Sequence, residues 1–231
     1  GYSNNRRVAS GVPTRDAFEQ HGMFSSGMEW YAPWKTIDGT TTVADDDFQM
    51  NTLLFGLFPK ERLLDYIKNF IFHEDHNGSL IKKGAKYHQF FGVNFAVEAA
   101  KKAVRPYGDG RIGVIWHTQG SGKSLTMVWL TKWIRENVKD SRVLIITDRQ
   151  ELDGQIEKLF TGVDEKIYRT KSGRDLISVL NHKTEMLVSS LVHKFGRHDD
   201  EGDFDSYIKE LKSSLGSDFK AKGDIYVFVD E

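Results

Sequence analysis

Apolar and polar positions are spaced irregularly at the start of the chain and periodically afterwards. Up to residue 44, turn-forming residues separate isolated apolar ones, which is typical of loops or short strands. A helical pattern begins at Asp45, within three aspartates that suit a helix N-terminus, and continues to Leu57. A second helix is predicted from Pro59, and residues 73–78 (HEDHNG) are predicted to be a linker. The apolar face predicted for the second helix consists of Leu63, Leu64, Ile67, Phe70 and Ile71.

From residue 87 the pattern is that of an α/β domain. A long helix is predicted over residues 87–104, ending before Pro106. Beyond it, short apolar runs alternate with amphipathic helical patterns, which favours βαβ units and a parallel sheet buried on both faces. The predicted strands are residues 113–116, 143–147, 186–189 and 225–229. The predicted helices between them are residues 125–138, 151–160, 174–181 and 204–215.

Composition narrows the class of protein without indicating its function. The chain has 231 residues, of which 39% are hydrophobic and 28% charged, as in ordinary globular proteins, and its net charge is −1. Cysteine is absent, which excludes disulfide scaffolds and thiolate-ligated metal sites. We find no run of about 18 apolar residues and no apolar signal core, so we expect a cytoplasmic protein without a membrane anchor. The lack of an initiator Met suggests a piece of a longer chain.

The strongest chemical signal is a glycine-containing loop between a predicted strand and a helix. Residues 112–130 read IGVIWHTQGSGKSLTMVWL. In a phosphate loop, backbone N–H groups surround phosphate oxygens, and Gly120 and Gly122 would permit the close approach this needs. Lys123 would reach the β- and γ-phosphates, and the Ser124 hydroxyl would bind Mg²⁺. His117 stands where the common motif has its first glycine, a departure that helicase-type ATPases tolerate better than kinases or small GTPases. The alternative is a structural turn.

The final predicted strand ends in two carboxylates. Residues 225–231 read IYVFVDE, so Asp230 and Glu231 would lie at the carboxyl edge of a parallel sheet, where such sheets bind ligands. Asp230 would hold Mg²⁺ through water, and Glu231 would act as general base toward the attacking water. The alternative is a strand that ends in charged residues without any catalytic role.

Four segments occur in an order that resembles a known family. WHTQGSGKS, IITDRQELDGQ (145–155), SSLVHKF (189–195) and FVDE (228–231) resemble the motor (R) subunit of type I restriction–modification enzymes, which are superfamily 2 helicase-like translocases. The resemblance implies a RecA-like three-layer fold, a P-loop NTPase with a parallel sheet. It divides the chain into a mostly helical or irregular linker segment, residues 1–80, extending from a nuclease domain, and a first ATPase/translocase domain, residues 81–231, that stops after the Asp-Glu of the DExH box.

The resemblance also implies roles for individual residues. ATP would be bound by Gln89, on the adenine edge, and by Thr118, Gln119, Gly120, Ser121, Gly122, Lys123 and Ser124. Mg²⁺ would be held by Ser124 and Asp230, and catalysis would involve Lys123, Asp230 and Glu231. DNA would be contacted by Thr147, Arg149, Gln155, Ser190 and Lys194. Each role has a plainer alternative. Gln89 could be an exposed helix residue, and Arg149 and Gln155 could only cap and solvate a helix. Lys194 could be an ordinary surface lysine.

The implied function is ATP-dependent movement on duplex DNA during DNA restriction. The cofactors would be ATP and Mg²⁺, with S-adenosylmethionine entering only through the partner methylation subunit, and the specificity subunit would be a second partner. The only Glu-x-Lys triplet, residues 210–212, lies in a helical pattern rather than on a nuclease strand, and no second motor domain follows. We therefore expect this chain alone to be weakly active or inactive. The alternatives are another superfamily 2 helicase or remodeller, and a kinase-like nucleotide-binding module.

Overall fold

A computed structural model describes residues 32–44, 49–76, 79–104, 107–118, 120–147, 150–182, 184–191, 215 and 219–230. The chain divides into two compact units, Gly1–Leu130 and Thr131–Glu231. The boundary predicted after residue 80 stays a prediction. None of the helices within the described ranges is long and apolar enough to span a membrane.

The first unit is built from helices and one hairpin. Its elements are α1 (Gln49–Gly56), α2 (Lys60–Asn69), β1 (Ile71–His76), β2 (Ser79–Gly84), α3 (Tyr87–Ala103) and the first part of α4 (Lys123–Asn137). The helix predicted over residues 87–104 is confirmed. The aspartates predicted to begin α1 lie outside the described residues.

The predicted linker at residues 73–78 is wrong for its described part, because residues 73–76 belong to a strand of an antiparallel hairpin. β1 pairs with β2 from Ile71 opposite Gly84 to His76 opposite Ser79. The sequence between the strands is Asn-Gly, the strongest short-range hairpin signal, but the charged residues of HEDH hid the strand from a reading based on apolar runs.

Aromatic side chains form the core of the first unit around Trp34, which is fully buried. Its ring lies 5.8 to 6.5 Å, centroid to centroid, from the rings of Tyr66, Tyr87, Phe90 and Phe91. Such tilted and edge-on pairs add to the stabilisation that burial alone provides. Residues from the irregular N-terminal part and from α2 and α3 therefore share one core.

The predicted apolar face of α2 is only partly correct. Leu64 and Ile67 are 57% and 54% exposed, whereas Tyr66 and Phe70 are buried. Tyr66 can occupy the interior because its hydroxyl donates a hydrogen bond to the Ala85 carbonyl at 2.8 Å. The interior face of α2 is thus one position away from the one that aliphatic spacing predicts.

The strand predicted over residues 113–116 is absent, since residues 111–118 form neither helix nor strand. Val114 and Trp116 are 91% and 90% exposed. A four-residue apolar run becomes a strand only where a neighbouring strand pairs with it, and the four-stranded sheet among the described residues does not include this run.

The second unit contains a parallel four-stranded sheet. Its elements are the remainder of α4, β3 (Ser141–Thr147), α5 (Gln150–Gly162), β4 (Tyr168–Arg169), α6 (Gly173–Asn181), β5 (Leu187–Leu191) and β6 (Asp224–Asp230). The strand order is β4-β5-β3-β6, and every pairing is parallel. The strands predicted at residues 143–147, 186–189 and 225–229 are confirmed, while the two-residue β4 was not predicted. The helix predicted over residues 204–215 lies outside the described residues except for Leu215.

Helices cover both faces of this sheet. Leu144 and Val188, which are register partners on β3 and β5, pack with Leu176 and Val179 of α6. On the opposite face, Ser189 of β5 donates a hydrogen bond to Asp153 of α5. Parallel strands between two helical layers confirm the predicted α/β fold class.

A buried arginine ties three chain segments of the second unit together. Arg142 is 1% exposed and donates hydrogen bonds to the carbonyls of Val179, Leu180, Glu185 and Lys222. Two of these carbonyls end α6, so the guanidinium provides the acceptors of the helix terminus with donors. Burial lowers the pKa of Arg142, an effect opposed by the nearby Glu185.

Candidate nucleotide-binding site

The loop before α4 contains two glycines in the left-handed backbone region, a conformation that anion-binding loops use. The Ser121 N–H donates to the Thr118 carbonyl at 3.1 Å, which closes a turn, and Gly120 at the third position of the turn has φ +78°. Gly122 follows with φ +88°. Left-handed dihedrals at both positions explain why the loop needs glycine there. Gln119 lies outside the described residues.

The helix α4 begins directly after this loop, as the motif requires. Its first intrahelical bond runs from the Thr126 N–H to the Gly122 carbonyl at 3.2 Å. The N–H groups of residues 123–125 therefore have no acceptor within the helix, and such groups at a helix N-terminus favour anions. Lys123 is the first helical residue, and Lys123 and Ser124 are both partly exposed. These donors fit a polyphosphate.

Gln89 of α3 holds the rear of the loop. It is 2% exposed, and its Nε2 donates to the carbonyls of Gly122 at 3.0 Å and Ser121 at 3.4 Å. Its Oε1 accepts from the Lys86 N–H at 2.8 Å. A Cβ at Gly122 would overlap the Gln89 amide. Gln89 is therefore at the loop, as expected of a nucleotide-site residue, and its contact with adenine stays a prediction.

Two histidines complete the loop's surroundings, and neither was predicted to have a role there. His88 Nε2 lies 3.0 Å from the Ser121 carbonyl oxygen, and His117 Nδ1 lies 3.1 Å from Ser121 Oγ. The two rings are 5.7 Å apart. Burial lowers the pKa of both, and the charges of His88 and Lys123 lower the pKa of His117 further. In the sequence, the one sign that these histidines have a role at the loop was that His117 replaces the first glycine of the motif.

In the second unit, three predicted site residues lie at the carboxyl edge of the sheet. Thr147 of β3 is the register partner of Asp230 of β6, and Ser190 of β5 is the partner of Ile146. Asp230 is 3% exposed. Thr147 Oγ1 is buried and has no hydrogen-bond partner among the described residues. A carboxylate beside an unsatisfied hydroxyl is a donor set that fits a hydrated Mg²⁺.

The residues predicted to contact DNA are only partly described. Thr147 and Ser190 are at most 1% exposed, and the Ser190 hydroxyl accepts a hydrogen bond from Thr170 at 2.7 Å. Gln155 is exposed on α5. Their DNA contacts stay predictions, and neither buried hydroxyl reaches the surface of this structure. Arg149 and Lys194, and the predicted base Glu231, lie outside the described residues.

A further polar cluster in the second unit was not predicted. Asp153 is 1% exposed and accepts hydrogen bonds from Ser189 and from Arg169, whose Nε lies 2.7 Å away. Arg169 also donates to Glu157 at 2.9 Å. The hydrogen bond to Asp153 is the main cause of a raised pKa of Arg169. The cluster fixes α5 on β4 and β5.

Comparison with known families agrees with this geometry. The model of the SWI2/SNF2 ATPase family matches residues 88–231, which include the loop and the whole sheet. The chain belongs to the SWI2/SNF2 ATPase family. Membership confirms the RecA-like fold and supports ATP binding as the chemistry of this chain.

Individual relatives of this SWI2/SNF2 ATPase chain are restriction subunits. It is 37% identical over 195 residues (79% of the chain, 18% of the relative) to the type I restriction enzyme HindI endonuclease subunit of Haemophilus influenzae. It is 34% identical over 154 residues (64% of the chain, 14% of the relative) to the putative type I restriction enzyme MjaIXP endonuclease subunit of Methanocaldococcus jannaschii. The resemblance to type I restriction motor subunits is confirmed, and the chain spans less than a fifth of the length of either relative.

Proposed function

We propose that this chain is the first ATPase domain of a type I restriction endonuclease subunit, and that it couples ATP hydrolysis to movement on duplex DNA. The observation that supports the proposal is the left-handed backbone of Gly120 and Gly122 directly before the N-terminus of α4, an arrangement typical of loops that bind phosphate. The restriction-subunit relatives support the choice of a DNA motor within the SWI2/SNF2 ATPase family.

The proposed roles of single residues follow the phosphate-loop motif. Lys123 contacts the β- and γ-phosphates, and the Ser124 hydroxyl is a ligand of Mg²⁺. Asp230 holds the Mg²⁺ water shell, and Glu231 accepts the proton of the attacking water. The site receives the adenine edge at Gln89, whose amide also bonds to the loop carbonyls.

The proposed DNA contacts are mainly to phosphates. Arg149, Gln155 and Lys194, with Thr147 and Ser190, would lie along the DNA track of the intact protein. Binding through phosphates carries little sequence information, so affinity should fall steeply with salt and depend weakly on sequence. Recognition of the DNA sequence would belong to a partner specificity subunit. Methylation would belong to a partner methylation subunit, which would bind S-adenosylmethionine. DNA cleavage would belong to a nuclease domain outside this chain.

The test uses the full-length subunit with its partner subunits. We expect ATP hydrolysis that duplex DNA stimulates and that Lys123→Ala abolishes while the protein stays folded. Translocation on duplex DNA would be followed by displacement of a triplex-forming oligonucleotide. Hydrolysis that is independent of DNA, or an unaffected Lys123→Ala variant, would contradict the proposal.

A second candidate is a remodelling ATPase outside restriction, which the SWI2/SNF2 description of the family model favours. It shares the ATP chemistry, so ATPase activity does not distinguish the two. Co-purification of methylation and specificity subunits with the full-length protein would support the restriction motor. DNA-stimulated ATPase without any such association would favour the remodeller.

A further inference from the structure

We propose that His117 is a positioning residue of the nucleotide site, and that with His88 it fixes the phosphate loop through Ser121. This inference rests on the proposed function, because nucleotide binding is one of its readouts. His117 occupies the first-glycine position of the motif, and its side chain contacts Ser121 in the loop and Thr126 in α4.

Ser121 uses all three of its polar groups in holding the loop. Its carbonyl accepts from His88 Nε2 at 3.0 Å and from Gln89 Nε2 at 3.4 Å. Its N–H and its hydroxyl both donate to the Thr118 carbonyl, at 3.1 and 2.6 Å. The hydroxyl oxygen also lies 3.1 Å from His117 Nδ1. Ser121 is therefore the point at which α3, the turn and His117 meet.

The Ser121 hydroxyl has one proton and the Ser121 carbonyl has none, and this determines the tautomers of the His117 and His88 rings. A serine hydroxyl has a single proton, and the contact with the Thr118 carbonyl uses it because a carbonyl can only accept. Ser121 Oγ is therefore the acceptor toward His117, whose Nδ1 carries the proton. By the same reasoning His88 carries its proton on Nε2, since the Ser121 carbonyl can only accept. Lowered pKa values favour these neutral forms at pH 7.

His117 also reaches the first turn of α4. Its Nε2 lies 3.3 Å from Thr126 Oγ1, and the Thr126 N–H makes the first bond of the helix, to Gly122. In the neutral Nδ1–H tautomer Nε2 can only accept, so the single Thr126 hydroxyl proton is shared between Nε2 and the Gly122 carbonyl oxygen, which lies 3.4 Å from Thr126 Oγ1. The imidazole thus links the turn to the helix N-terminus across the residues that would surround a polyphosphate. A loop held in its binding conformation loses less entropy when the ligand binds.

Asparagine provides a conservative replacement for His117. An Asn Nδ2–H can take the place of the His Nδ1–H toward Ser121, whereas alanine removes the donor. We expect His117→Ala to weaken binding of a fluorescent ATP analogue with Mg²⁺ to the full-length protein about three- to tenfold, the range for one lost hydrogen bond. We expect His117→Asn to weaken binding less than His117→Ala does, because it restores the hydrogen bond to Ser121 although not the contact with Thr126.

A double-mutant cycle tests whether the effect passes through Ser121. In a Ser121→Ala background the acceptor is already absent, so adding His117→Ala, which then removes only the contact with Thr126, should weaken binding less than it does in wild type. His117→Asn binding as weakly as His117→Ala would overturn the proposal. So would a His117→Ala penalty that is unchanged in the Ser121→Ala background.

Hydrogen exchange measured without nucleotide tests the role of His117 independently of whether the loop binds ATP. The Ser121 amide is protected by its bond to Thr118, so its peptide should exchange faster in His117→Ala and at the wild-type rate in His117→Asn. If wild type and Lys123→Ala both fail to bind the ATP analogue, the proposed function is wrong. The exchange comparison then still decides the role of His117, and identical exchange in wild type and His117→Ala would overturn it.

Discussion

Replacing Gly122 with alanine tests the loop geometry most specifically. Gly122 has φ +88°, and an added Cβ would overlap the Nε2 of Gln89. The end of a glutamine side chain is normally free to move aside. This one is buried and bonded to Gly122, Ser121 and Lys86, so moving it breaks its hydrogen bonds.

The expected cost follows from these two contributions. The left-handed backbone adds about 1 kcal/mol for a residue with a Cβ. Loss of the two shorter Gln89 bonds, to Gly122 and Lys86, adds about 1 kcal/mol each. Gly122→Ala should therefore raise the free energy of the native loop by about 3 kcal/mol. Gly120→Ala is the matched control, because its φ is +78° but no atom lies within 4 Å of its Cβ, so only about 1 kcal/mol is expected.

Hydrogen exchange of the full-length protein measures this difference. Peptides covering the loop and the start of α4 should exchange about a hundredfold faster in Gly122→Ala and about fivefold faster in Gly120→Ala. In a Gln89→Ala background the overlap is gone, and Gly122→Ala should cost no more than the control. Equal effects of the two glycine variants would refute the inference that Gln89 is packed on the loop.

Three other predictions concern Arg142, Trp34 and His88. Arg142→Met should lower the free energy of unfolding by about 3–5 kcal/mol, since it leaves four carbonyls without their donor. Arg111→Met at an exposed site should change it by less than about 0.5 kcal/mol, and chemical denaturation measures both. Trp34→Ala should cost about 3–5 kcal/mol and Trp116→Ala about 0.5 kcal/mol or less, because the first is fully buried and the second 90% exposed; equal losses would contradict the described core. Burial lowers the pKa of His88 below its ordinary value of 6.5. Just below pH 6.5 the unfolded state therefore binds more protons than the folded state, so the free energy of unfolding should fall as the pH drops below about 6.5. Denaturation measured over a series of pH values should show a weaker pH dependence in His88→Gln than in wild type.

Sequence periodicity located the elements that bury one or both of their faces. The helix at residues 87–104 and the strands ending at Thr147 and Asp230 were predicted because a buried face imposes a repeat on the residues that form it. The left-handed backbone at Gly120 and Gly122 was predictable because a side chain with a Cβ is strained there, whereas phosphate binding by the loop stays a prediction.

What the sequence did not predict depends on partners that are distant along the chain. The apolar run at residues 113–116 has strand-like composition, yet composition cannot supply the neighbouring strand that pairing needs. The hydrogen bond that the Ser190 hydroxyl accepts from Thr170, twenty residues away, was not predicted, while the DNA contact of Ser190 stays a prediction. His117 was recognised only as a departure from a motif, because its contact with Ser121 depends on the folded loop.

Nucleotide affinity of the full-length protein tests the central claim, that the loop before α4 binds ATP. The measurement is equilibrium binding of a fluorescent ATP analogue with Mg²⁺ to wild type, Lys123→Ala and Lys139→Ala. Lys139 is exposed beyond the end of α4 and serves as the control for loss of one positive charge. We predict that Lys123→Ala weakens binding by about tenfold or more and that Lys139→Ala leaves it unchanged. Equal affinity of the Lys123→Ala variant and wild type would contradict the claim.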